Sequence, residues 1–168
     1  EPEPEAEPES EPEAEPDITS NYSLYDKEAG RIYSDNKHSN FVGTSSSTLS
    51  SSVGLSLKNQ DLDKTYIILP VPDDTKVYGV AIKGKGIQNR YVEKYKVYYN
   101  TSTNLDEPDN DSSGWVDVDG GEEFEANSDQ NTSVYNFFTT PVPDTAEWIK
   151  ISPTEWNGRP GFRVGIYI

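Results

Sequence analysis

Apolar positions along this chain fall in short runs, and no segment sustains a helical period. TYIILPV (65–71), KVYGVAIK (76–83), YVEKYKVYY (91–99), GWVDV (114–118), SVYNFF (133–138), AEWIKIS (146–152) and GFRVGIYI (161–168) are rich in β-branched and aromatic residues. Turn signals such as PDD, GKG and NG separate them, which is the pattern of strands rather than helices. In YVEKYKVYY the odd positions Tyr91, Glu93, Tyr95, Val97 and Tyr99 are mostly apolar, against Val92, Lys94, Lys96 and Tyr98. The odd face is therefore expected to turn inward. Seven or eight strands at this spacing predict an all-β fold, a jelly-roll β-sandwich of about eight antiparallel strands. Residues 18–60 are less regular, and GTSSSTLSSSVG (43–54) reads as a long surface loop or a flexible excursion.

Charge changes the picture at the N-terminus. Residues 1–17, EPEPEAEPESEPEAEPD, hold nine acids, no base and no aliphatic larger than Ala. Such a stretch cannot bury enough apolar surface to offset its ordering entropy, so it is expected to be a disordered acidic linker or stalk, biased to polyproline II. The sandwich is then expected over 18–168. Removing those nine acids from the net charge of −16 leaves −7 for the remainder. A body of that sign, with no basic stripe, argues against nucleic acid and against insertion into an anionic membrane. The chain has no Cys and no Met, which excludes a disulfide framework and suggests a processed or excised piece of a larger multidomain protein. Sequons at Asn21, Asn100, Asn110 and Asn131 point to a glycosylated, extracellular chain, secreted or at the cell surface.

Catalytic chemistry is poorly supplied. The single His38 lies in YSDNKHSNF, no G-x-S-x-G elbow occurs, and one His without Cys is a poor zinc set. No enzyme is expected. The densest acidic cluster, DEPDNDSSGWVDVDGGEE (106–123), echoes half a calcium loop through Asp109, Asp111 and Asp117, but its twelfth position is Gly120. A structural calcium ion is the one cofactor for which the sequence offers ligands, but a solvated hairpin turn with Trp115 packed inward is the better account of this cluster.

Several of these pieces, in order, resemble the discoidin domain, also called the coagulation factor V/VIII C-type domain, over about residues 62–168. VYGVAIKGKG (77–86) is similar to a family strand that ends in a Gly-bounded loop, and YVEKYKVYY to the strand after it. DSSGW (111–115) resembles the following turn, and EFEANSD (123–129) a loop in which Ala126 replaces the usual Gly. VYNFFTTPVPDTAEWIKISPTEWNG (134–158) and FRVGIYI (162–168) resemble the closing strands. The Cys pair of many animal members is missing, and Gly165 stands where many carbohydrate-binding relatives keep an acid for structural calcium.

The resemblance implies a galactose-binding-like jelly roll whose ligand loops share one end, with both termini near the other. Those loops map to residues 33–44, 84–91 and 126–136. Tyr33, Phe41 and Tyr91 offer aromatic faces to a pyranose, with Phe41 equally readable as a core plug. Gln88, Asn89, Arg90, Asn127 and Asp129 offer polar partners to its hydroxyls, and His38 reads as a surface or ligand-contacting side chain. Arg163 is expected to pair internally. The leading expectation is thus a non-catalytic adhesion module for a galactose-like glycan or glycoprotein on a cell or matrix surface. The alternatives are an acidic matrix protein that binds calcium or mineral, and a protein- or phospholipid-binding adhesion domain.

Overall fold

The computed structural model describes residues 21–34, 47–57, 61–62, 64–103 and 114–168. The acidic segment 1–17 lies outside the described residues, as do His38, Phe41, Asp109 and Asp111. The strands are β1 (Leu24–Tyr25), β2 (Ile32–Tyr33), β3 (Leu55–Ser56), β4 (Ile67–Pro70), β5 (Val77–Lys83) and β6 (Tyr91–Asn100), followed by β7 (Val116–Asp117), β8 (Phe124–Glu125), β9 (Val134–Val142), β10 (Trp148–Asn157) and β11 (Gly161–Tyr167). They form two antiparallel sheets. One is five-stranded in the order β1-β11-β5-β9, with β3 also on β11; the other is six-stranded in the order β2-β4-β10-β6-β7, with β8 on β6. This is a jelly-roll sandwich. Its strand count exceeds the expected eight because β1, β2, β3 and β8 have two residues each, too few to show a period.

The core lies between the sheets. Ile67 and Leu69 of β4, Val80 and Ile82 of β5, Ile149 and Ile151 of β10, and Phe162, Val164 and Ile166 of β11 alternate inward. Each fully buried side chain of this size contributes roughly 1.5–3 kcal/mol of transfer free energy. On β6, Tyr95, Val97 and Tyr99 face this core as expected, but Val92, predicted outward, is fully buried. The reason is a break in register: Val92 pairs with Trp156 and Lys94 with Glu155, leaving Glu93 without a partner across the ladder. One extra residue inverts every side chain on its far side.

Trp115 also departs from expectation. It sits half-buried on the outer face of the six-stranded sheet, with the Lys150 ammonium 4.6 Å from its ring centroid. Tyr98 lies at the same distance and Tyr66 at 6.0 Å, so a lysine that is 3% exposed is solvated by aromatic faces. Asn100, one of the sequons, is 2% exposed, and its Oδ1 accepts the Ser102 N–H at 2.8 Å.

Strand directions divide the molecule into two poles. Arg163 pairs with Lys83 and Asn157 with Tyr91, so the loops 84–90 and 158–160 share one end, and Val134 opposite Ile82 brings 126–133 there too. At the other end Ser23 and Ile168 exchange backbone hydrogen bonds of 2.8 and 2.9 Å. The start of the described chain therefore lies beside its last residue, away from those loops.

Candidate binding site

The loop pole is built around the hairpin between β5 and β6. Lys85 and Arg90 form an isolated antiparallel bridge, with Lys85 N–H donating to Arg90 O at 2.8 Å. Two glycines let neighbouring loops close onto it. A Cβ on Gly84 would lie 2.7 Å from Gln130 Cα, and one on Gly86 would strike the Ser52 carbonyl oxygen. Gly86 N–H instead donates to Val53 O at 2.9 Å. On the other side the Asn157 amide donates to Asn89 O at 2.9 Å. The hairpin is thus held by three segments distant in sequence.

One guanidinium locks the arrangement from beneath. Arg163 is 6% exposed; its Nε donates to Gly84 O, one terminal nitrogen to Ser51 O and the other to Gln130 O, each at 2.8 Å. A planar fork serving three loop carbonyls fixes three loops at once. Asn127 does similar work: its Nδ2 donates to Ile82 O at 3.1 Å and Thr132 O at 2.9 Å, while its buried Oδ1 has no hydrogen-bond partner. Asp129 is a turn former as well. Its Oδ1 accepts from the Asn131 and Thr132 N–H groups at 2.7 Å. Hydrogen bonds from Thr132, then Asn131, hold its carboxyl below the usual range.

Of the residues expected at this end, the structure brings Gln88, Asn89, Arg90 and Tyr91 together. Gln88 and Asn89 are exposed, while Arg90 and Tyr91 are half-buried. Asn127 stands behind them with its donors committed, and Asp129 lies on the adjoining loop. Tyr33 is elsewhere. It pairs with Ile67 from the edge strand β2, and its hydroxyl bonds Glu28 and Ser47 inside the molecule. Burial, reinforced by the Glu28 carboxylate, pushes that phenol far above its ordinary value. Its ring packs against the core. Lys85, Arg159 and Ile87, which is 62% exposed, join the same pole although they were not among the expected sugar contacts. The signal available in sequence was GKGIQNR and NGRPG, cations beside glycines in an acidic chain.

The calcium expectation can be tested at Gly165. A Cβ there would lie 3.1 Å from Leu24 Cδ1 and from Leu49 Cδ1, an apolar setting for a carboxylate. The cation in this neighbourhood is Arg31, whose side chain is fully buried. It donates to Lys27 O at 2.8 Å, Ser47 O at 2.9 Å and Val164 O at 2.8 Å, and pairs with Asp26 at 3.0 Å and Glu28 at 3.8 Å. A divalent ion beside this guanidinium would meet direct repulsion and find its carbonyls already in use. Calcium does not fit here. Asp117 lies at the other pole, in a groove of about 280 Å³ with Asp119, Tyr99, Pro141 and Pro143. Asp119 there is committed to the Thr139 and Thr140 N–H groups, at 2.7 and 3.0 Å.

The family model of the F5/8 type C domain matches residues 30–165, reaching further toward the N-terminus than the motifs alone. Discoidin-2 of Dictyostelium discoideum is 30% identical over 107 residues, covering 63% of this chain and 37% of that protein. The chain thus corresponds to little more than a third of that relative's length. Discoidin II of the same organism is similar in structure, with a TM-score of 0.61 at 22% identity over 88% of this chain and 55% of that one. An F5/8 type C domain from Bacteroides fragilis gives a TM-score of 0.62 at 10% identity, over 88% and 96% respectively.

Proposed function

The chain belongs to the F5/8 type C domain family, and from that premise we propose that it is a non-catalytic carbohydrate-binding module. Its loop pole would hold a galactose-like glycan of a cell or matrix surface, outside the cell. The observation that carries this reading is the hairpin tip, where Gln88, Asn89 and Arg90 stand beside Tyr91 on a backbone locked by Arg163, Gly84 and Gly86. Amide and guanidinium groups pair with sugar hydroxyls, and an aromatic edge takes the apolar face of the ring. A pre-formed backbone lowers the ordering cost of binding. In the described loops 84–91, 126–133 and 157–161 the acid is Asp129, and its carboxylate is occupied as a turn former. That supports binding rather than acid–base hydrolysis, which needs a carboxylate pair. A shallow rim of this kind binds each sugar weakly, and avidity from repeated copies supplies useful strength.

The test is a glycan panel probed with the full chain, in calcium and again in chelator, with Asn89→Ala and Arg90→Ala alongside. Selective binding that both substitutions weaken, equal in calcium and chelator, is the expected result. Silence on every glycan from a folded chain overturns the reading.

A further inference from the structure

We propose that the loop pole selects sugars carrying an acidic group, a carboxylate or a sulfate, over their neutral counterparts. This rests on the glycan-binding reading above and names the class of glycan.

Three cations meet at the hairpin. Lys85 and Arg90 are cross-strand partners, and the loop carrying Arg159 is pressed against Arg90. A Cβ on Gly158 would sit 3.5 Å from Arg90 Cγ, and one on Gly161 would overlap Arg90 Cβ. Among the described residues, the ion pairs are those of Arg31 and Lys94; Lys85, Arg90 and Arg159 have none. Burial, then repulsion from Arg90 and from Arg159, holds the Lys85 ammonium below its ordinary value. In a chain of net charge −16, three uncompensated cations placed together are an electrostatic cost that a bound anion relieves. Asp129, the acid on the adjoining loop, does not offset them, because its carboxylate is turned to its own backbone.

The ligand chemistry follows from what surrounds the charge. Gln88 and Asn89 follow the exposed Ile87 in the hairpin, so hydroxyl-binding amides and one apolar contact stand next to the cations. An acidic pyranose presents all three complements. A bilayer is the poorer match. Its extended anionic surface acts on the whole acidic molecule, whereas a sugar within a Debye length, about 10 Å at 0.1 M salt, feels the local cluster.

The experiment titrates the full chain by calorimetry with lactose, sialylated lactose, sulfated lactose and trigalacturonic acid, and by sedimentation with phosphatidylserine vesicles. At least one acidic saccharide is expected to bind about tenfold or more tightly than lactose, one charge-assisted contact being worth that much. The advantage should shrink as salt is raised. Lys85→Gln and Arg159→Gln should each remove most of it while lactose binding is retained. Arg159→Lys should keep it, and Lys76→Gln, at the opposite pole, should change nothing. Equal affinity for lactose and the acidic forms overturns this inference and leaves the glycan reading standing. Silence on all sugars overturns both. Vesicle binding without saccharide binding replaces the acidic sugar with an anionic lipid headgroup, and likewise overturns the proposal.

Discussion

Arg31→Met puts the internal cation to the test. Met keeps an unbranched apolar stem of similar length but removes the charge and every donor. Three carbonyl oxygens, of Lys27, Ser47 and Val164, then lose their partner, and the Asp26 and Glu28 carboxylates lose their counter-ion. Breaking a buried ion pair by removing one partner costs roughly 3–5 kcal/mol. Each orphaned carbonyl would add about 1–3 kcal/mol if the costs summed, but they share one site and do not. Asp26 also keeps hydrogen bonds from the Leu49 and Ser50 N–H groups at 3.0 and 3.3 Å, which holds the loss near the lower bound. At roughly 2–4 °C per kcal/mol for a domain of this size, Tm should fall by about 10 °C. Differential scanning calorimetry measures it, in millimolar calcium and in chelator. The wild-type chain should melt at the same temperature in both, and moderate salt should leave the Arg31 contribution intact, because a buried pair is poorly screened. A fall under about 2 °C would refute the central role of Arg31. A wild-type Tm that rises several degrees with calcium would refute the argument against an ion.

Three further outcomes follow from other parts of the fold. Arg163→Gln frees the Gly84, Ser51 and Gln130 carbonyls together; it should cost about 2–4 kcal/mol in denaturant unfolding and weaken glycan binding more than Asn89→Ala. Lys150, with its ammonium desolvated, is lowered from 10.5 to about 8. Between those values the unfolded chain holds a proton that the folded chain has released, so stability relative to Lys150→Met should climb as pH rises from about 8 to 10; a flat difference contradicts the assignment. Of the sequons, Asn131 is exposed and Asn100 is buried. Peptide mapping of chain secreted from a glycosylating host should therefore find sugar at Asn131 and none at Asn100.

The longer strands were legible because each carries its own alternation and its own turn signals: β4, β5, β9, β10 and β11 fall within or overlap the runs read from the sequence. Three features were not legible, each for a local reason. Val92 was assigned to the wrong face because a bulge leaves no mark in a hydrophobic pattern; the register slips once past Pro153 and again between Glu155 and Trp156, where Glu93 is the extra residue. Trp115 was expected in the core because large aromatics usually go there, and the competing attraction of a buried ammonium depends on which residue lies across the sheet. Arg31 drew no attention, since its partners Ser47 and Val164 are 16 and 133 residues away in sequence. A guanidinium that collects carbonyls from three segments looks, in one dimension, like any surface arginine.

Composition reads the site only through an average. A net charge of −16 argues against anionic partners only if the charges are mixed, and the fold unmixes them. Arg31, Lys150 and Arg163 are spent inside the molecule. Lys94 is spent on Glu155 at 3.3 Å and on Glu123 and Glu125 at 3.8 Å. Asp117 and Asp119 are carried to the groove at the far pole. Lys85, Arg90 and Arg159 meet at the loop pole because a hairpin bridge and a neighbouring glycine turn bring them there. The sign of the molecule and the sign of its loop pole are therefore separate quantities. Solubility and long-range repulsion follow the first, and ligand choice at a rim only a few residues wide follows the second.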